Sequence, residues 1–173
     1  MKHLRCILTG SGCGAVLMLA AVVSLASSLR DSTAATSILA ASSRPLAAFD
    51  AKLEIDIEDG EVELTATFAL GPQDDKINPI TDAIALNLNG GVGDFSLKLP
   101  AGSLKSERNG TFQFRGNIEG VKLLAAVRPL RTRTFELEIV TEGANLRGMA
   151  NPVTVNLRIG GYGGSQSVRA KIE

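Results

Sequence analysis

The densest grouping of reactive side chains in this sequence is acidic. Asp56, Glu58, Glu61 and Glu63 flank Asp59-Gly60, a dipeptide that favours a two-residue hairpin turn. Folded about that turn, Glu58 faces Glu61 and Asp56 faces Glu63, on the side of the hairpin opposite Ile55, Ile57, Val62 and Leu64. Like charges opposed across two strands destabilise the pair, so the array calls for a counter-charge. Carboxylate oxygens are the ligands a hard cation prefers, and Ca²⁺ is the ion these four would suit. A neighbouring basic strand does the same without a metal, and Arg158, Arg169 and Lys171 lie on polar faces able to supply it. Residues 50–75 hold nine acids and one Lys, whereas 76–173 hold eight acids and 13 basic residues. Compensation within the chain is therefore available, and no bound cofactor is expected.

Two smaller features invite a ligand. RPLRTR, residues 128–133, gathers Arg128, Arg131 and Arg133 in an expected turn, where they would suit phosphate, an acidic glycan or lipid headgroups. The commoner role of such a run is a solvated loop. Tyr162, between glycines, would stack on a sugar ring if it stood exposed in a loop. A chain with one Tyr and no Trp has little else from which to build an aromatic sugar face. Asn109-Gly110-Thr111 matches a glycosylation acceptor, but Asn-Gly is also what a hairpin turn requires.

Enzymatic chemistry has few groups to draw on. The one His and both Cys fall within the first 13 positions, as His3, Cys6 and Cys13. The rest of the chain lacks the common nucleophile–base pairs and the nitrogen and sulfur ligands zinc favours. Paired carboxylates flanking a cleft would remain as a route to glycoside cleavage. Beyond position 35 there are 15 basic and 17 acidic residues, which argues against nucleic acid as a partner.

The order of the chain suggests where these groups sit. Residues 1–26 have Lys2 and Arg5, then the apolar run Ala15 to Ala26 with small residues at its end, which predicts a secretion signal or, if retained, a membrane anchor helix. Residues 27–49 are mainly Ser, Ala and Thr, as expected of a flexible linker. From residue 50 to 173 the pattern has period two. Alternating runs at 51–58, 61–69, 82–89, 94–99, 111–118, 121–128, 133–141, 153–159 and 165–172 are separated by turn residues such as Asn89-Gly90-Gly91, Glu119-Gly120 and Gly160 to Gly164. About nine short strands joined by tight turns predict an all-β fold, an antiparallel β-sandwich. With no Cys in this part, an apolar core rather than disulfides must stabilise it.

NPITDAIALNLNGGVG at 78–93 and NPVTVNLRIGGYGG at 151–164 share Asn-Pro, an alternating run and a glycine cluster. Proline removes a backbone donor where a strand begins, and glycines permit tight reversals. These are conformational roles, and they suggest a duplicated half-sandwich rather than a catalytic motif used twice.

The segments GTFQFRG at 110–116, GANLRGMANPV at 143–153 and IGGYGGSQSVRA at 159–170 resemble the GxFxFxG, GAxLxGxxNPV and IGxxxGxxxVxA pattern of a recurrent module in exported bacterial proteins. Members often carry acids after the final Ile-Gly, where this chain has Gly161, Tyr162 and Gly163. The resemblance implies an exported β-domain and brings no activity, cofactor or site residue with it. The resulting expectation is a non-catalytic, secreted or cell-surface module that presents a surface for adhesion, assembly or binding of a protein or cell-surface partner. It would meet the membrane only through its N-terminal segment. A calcium- or carbohydrate-binding domain is the alternative, and a carboxylate-based hydrolase the third.

Overall fold

The computed structural model describes residues 43–74 and 76–173. The expected leader and residues 27–42 of the expected linker lie outside the described residues. The strands are β1 (Arg44–Pro45), β2 (Ala48–Asp56), β3 (Glu61–Ala69), β4 (Ile84–Gly90), β5 (Gly93–Leu99), β6 (Lys105–Ser106), β7 (Phe112–Ile118), β8 (Val121–Arg131), β9 (Thr134–Glu142), β10 (Val153–Ile159), β11 (Tyr162–Val168) and β12 (Lys171–Ile172). Sheet A has the order β1-β11-β10-β4-β5 and sheet B the order β12-β2-β3-β9-β8-β7-β6. The fold is a β-sandwich, and its long strands pair antiparallel. The parallel pairings are short: β1 with β11 and β12 with β2, two residues each.

Alternation places every second side chain between the sheets. Leu86, Leu88, Val153, Val155 and Ile159 of sheet A meet Ile55, Val62, Leu64, Phe68, Leu137 and Ile139 of sheet B, all of them fully buried or nearly so. Each such side chain contributes roughly 1.5–3 kcal/mol by leaving water. Phe68 and Phe135, paired across β3 and β9, stack with ring centroids 5.4 Å apart. Thr141, a buried polar residue, accepts the N–H of Val62 through its hydroxyl at 3.1 Å.

Several boundaries differ from the sequence expectation. Residues 44–45 and 48–49 belong to strands, so the domain begins inside the Ser/Ala/Thr-rich stretch. The expected loop at 160–164 is only Gly160-Gly161, and β11 starts at Tyr162. The expected last strand at 165–172 is two pieces: β11 ends at Val168 in sheet A, and β12 pairs in sheet B. Asn151 makes this crossing possible, because its amide donates to the carbonyl of Ala170 at 2.8 Å and accepts the N–H of Ala170 at 2.7 Å.

The repeated segments form two hairpins, β4–β5 and β10–β11, placed back to back through the antiparallel pairing of β4 with β10. Each strand of the second begins 69 residues after its counterpart, Ile84 to Val153 and Gly93 to Tyr162. Asn87 lies opposite Asn156 at the centre of the pairing.

Candidate functional site

The acidic hairpin forms with a different register. Asp56 faces Glu61 and Glu54 faces Glu63, while Glu58 stands in the turn. The reason is local: Asp56 Oδ1 accepts the N–H groups of Glu58 at 2.9 Å and Asp59 at 3.2 Å, which folds residues 57–60 into a longer turn than Asp59-Gly60 alone. Gly60 has φ of 65° there, and a side chain on it would strike the backbone of Ala144. A shift of two positions keeps every residue on its expected face, so the core side of the hairpin is unchanged.

The counter-charge comes from β12. Lys171 lies beside Glu54, with its Nζ 2.7 Å from Glu173 and 3.8 Å from Glu54. The hydrogen bond and charge of Glu173, followed by the charges of Glu54 and Glu63, raise its pKa above the ordinary lysine value of 10.5. These groups, with Asp56 and Glu61, line a shallow hollow of about 150 Å³. Among the described residues no set of three or more acidic, His or Cys side chains is placed to hold a metal ion. Of the three basic residues considered, Lys171 serves this hairpin and Arg158 lies on sheet A.

The three arginines of RPLRTR do not act together. The expected turn is shorter, because β8 continues to Arg131 and only Thr132-Arg133 reverse the chain. Arg128 pairs with Glu136 at 3.0 Å across β8 and β9. Arg133 turns the other way, donating to the carbonyls of Gly71 and of Asp74, the latter at 2.9 Å. Arg131 stays exposed at the strand end. Tyr162 is 6% exposed and belongs to the core, so it offers no face to a sugar. The period-two rule places it inward once the loop before it shrinks to two glycines.

A larger hollow lies elsewhere, on the outer face of sheet A. It measures about 470 Å³, and its polar lining includes Ser43, Asn87, Asn89, Asn156, Arg158 and Ser165. Ser96 Oγ donates to Asn87 Oδ1 at 2.7 Å, and Ser165 Oγ donates to Asn156 Oδ1 at 2.8 Å. The row Ser165–Asn156–Asn87–Ser96 thus crosses four strands with the same bond at both ends. With each Oδ1 engaged as an acceptor, what each amide has left to offer is its NH₂, a donor. Gly163 keeps the hollow open, since a side chain there would collide with Ser43. Among the described residues Arg158 makes no salt bridge, and its Nε donates to the carbonyl of Gly160 at 3.2 Å.

No family model, curated protein or solved structure matches this chain. The site therefore stands on its own geometry. Sequence reasoning missed it, although a signal was present. Asn is disfavoured in strands, yet the two copies carry it at the same point, Leu-Asn-Leu at 86–88 and Val-Asn-Leu at 155–157.

Proposed function

We propose that this chain is an exported, non-catalytic binding module that presents the outer face of sheet A to a cell-surface partner. The observation that carries this reading is the hollow on that face, with its paired Asn-Ser bonds repeated across the sheet. Asn87, Asn156 and Arg158 are half-buried and point away from the core. The leader-like N-terminus supports export. The confinement of His and Cys to the first 13 positions supports a role without covalent or acid–base chemistry.

The test is binding of the labelled protein to envelope fractions of the producing cell. Saturable binding is expected, lost in the triple variant Asn87→Ala, Asn156→Ala, Arg158→Gln and retained in Lys52→Gln, which alters the outer face of sheet B. Absence of saturable binding, or equal binding by the triple variant, overturns the proposal.

A further inference from the structure

The outer face of sheet A has a second cation. Arg158 lies opposite Ala85 in β4, and Ala85 lies opposite Lys98 in β5, so Arg158 and Lys98 stand in one row two strands apart. At the usual spacing of strands this is about 10 Å between backbones. Ala85 between them is too short to fill the gap. A second hollow of about 430 Å³ adjoins this row, lined by Ala85, Lys98, Pro100, Arg158 and Gly160 among others, so Arg158 stands at the edge of both hollows. Among the described residues neither cation makes a salt bridge. One carboxylate, Asp94, is carried outward by the four long strands of this sheet. It lies opposite Asn89, four residues along β5 from Lys98 and so about 13 Å away. Asp82, beside Gly160, accepts the N–H of Asn78 at 2.8 Å.

The face therefore combines two unpaired cations, spaced apart along one line, with amide and hydroxyl groups in the adjoining row. A small anion would reach one cation and leave the amides unused. A neutral glycan would use the amides and leave two cations without partners. We propose that this face binds an extended acidic glycan, a polysaccharide containing uronate sugars. Arg158 and Lys98 meet carboxylates on separate sugar units, with Arg158 able to do so in the two-pronged manner of a guanidinium. Asn87 and Asn156 donate to ring hydroxyls, and Ser43 and Ser165 border the same track. Adjacent strands, about 4.8 Å apart, are spaced comparably with successive pyranose rings of an extended chain. The inference rests on the reading of this face as the binding surface and names its ligand class.

Calorimetric titration of the full chain with hexagalacturonate tests it, with cellohexaose as the neutral arm and poly-glutamate as the carboxylate-bearing arm without sugar. Hexagalacturonate should bind saturably and more weakly as salt rises. Arg158→Gln should weaken it by about tenfold or more, the scale of one lost charge-assisted contact. Lys98→Gln and the pair Asn87→Ala, Asn156→Ala should each weaken it too, with thermal midpoints near wild type as the control for folding. No saturable heat with hexagalacturonate overturns the inference, as does equal affinity for cellohexaose or poly-glutamate, or undiminished binding by Arg158→Gln. If envelope binding survives while hexagalacturonate fails, the ligand class falls and the binding surface stands. If both fail, both readings fall.

Discussion

Where the first hairpin of sheet A carries Phe95 and Leu97 on the inner side of its outer strand, the second carries Gly164 and Gln166 at the matching positions. The inner strands differ little, since both bury aliphatic side chains and turn a half-buried Asn outward at the shared centre. The outer strands diverge because their edges do. β11 is covered by β1, and the chain then crosses directly into β2 of sheet B. Leu46 on that crossing and Phe49 at the start of β2 occupy the space a side chain at Gly164 would need. Gln166 Oε1 accepts the N–H of Ala51 at 2.6 Å, satisfying a backbone donor of β2. Among the described residues no strand lies beyond β5 in sheet A, and Phe95 and Leu97 fill the core from within their own strand. Two hairpins of like topology thus meet a closed edge and an open one, and the inward side chains of their outer strands differ accordingly, at Gly93 and Tyr162 as well as at these positions.

The comparison is most severely tested at Phe95. Phe95→Ala should destabilise by about 3–5 kcal/mol in chemical denaturation, because it removes a large buried side chain and leaves a cavity. The same experiment on Gly164→Ala should show a cost from the opposite cause, about 1–3 kcal/mol from crowding against Leu46 and Phe49. A double variant, Gly164→Ala with Phe49→Leu, should recover part of that loss. A Gly164→Ala protein as stable as wild type would show that the crossing does not constrain β11. Gln166→Leu comes next, at about 1 kcal/mol, because the Ala51 N–H loses its acceptor at a site that is only partly buried. Hydrogen exchange at Ala51 should speed up in that variant.

Lys171→Gln should have the smallest effect, since the side chain is 62% exposed. Its signature is dependence on conditions. The pKa of Lys171 is raised in the fold, so its contribution is present at neutral pH and up to the ordinary lysine value, then lost as pH rises through the folded value. In thermal melts at low salt, wild type should therefore exceed Lys171→Gln at neutral pH, with the difference closing at strongly alkaline pH or high salt. A difference that grows on alkalinisation would contradict the role given to β12.

Much of the architecture was legible in the residues. Leu53, Ile55, Val62 and Leu64 alternate with charges, and Val153, Val155, Leu157 and Ile159 alternate with the polar Thr154, Asn156 and Arg158, so their inward faces follow from the geometry of an extended chain. The acidic hairpin shows the limit. Its faces were readable, but its partners were not, because the side chain of Asp56 lengthened the turn and moved the pairing by two positions. Tyr162 shows another, since the glycines around it signalled a loop while its register with Ile159 placed it in the core.

The sequence by itself determined the period of the strands and the positions of most turns, because these depend on neighbours along the chain. Only the tertiary structure decided that Lys171 answers Glu54, that Asn87 meets Asn156, and that Arg158 and Lys98 share one row across Ala85. Those juxtapositions join residues far apart in the chain. They depend on which strands lie side by side in a sheet, a choice made by burying the whole core at once and encoded in no single segment.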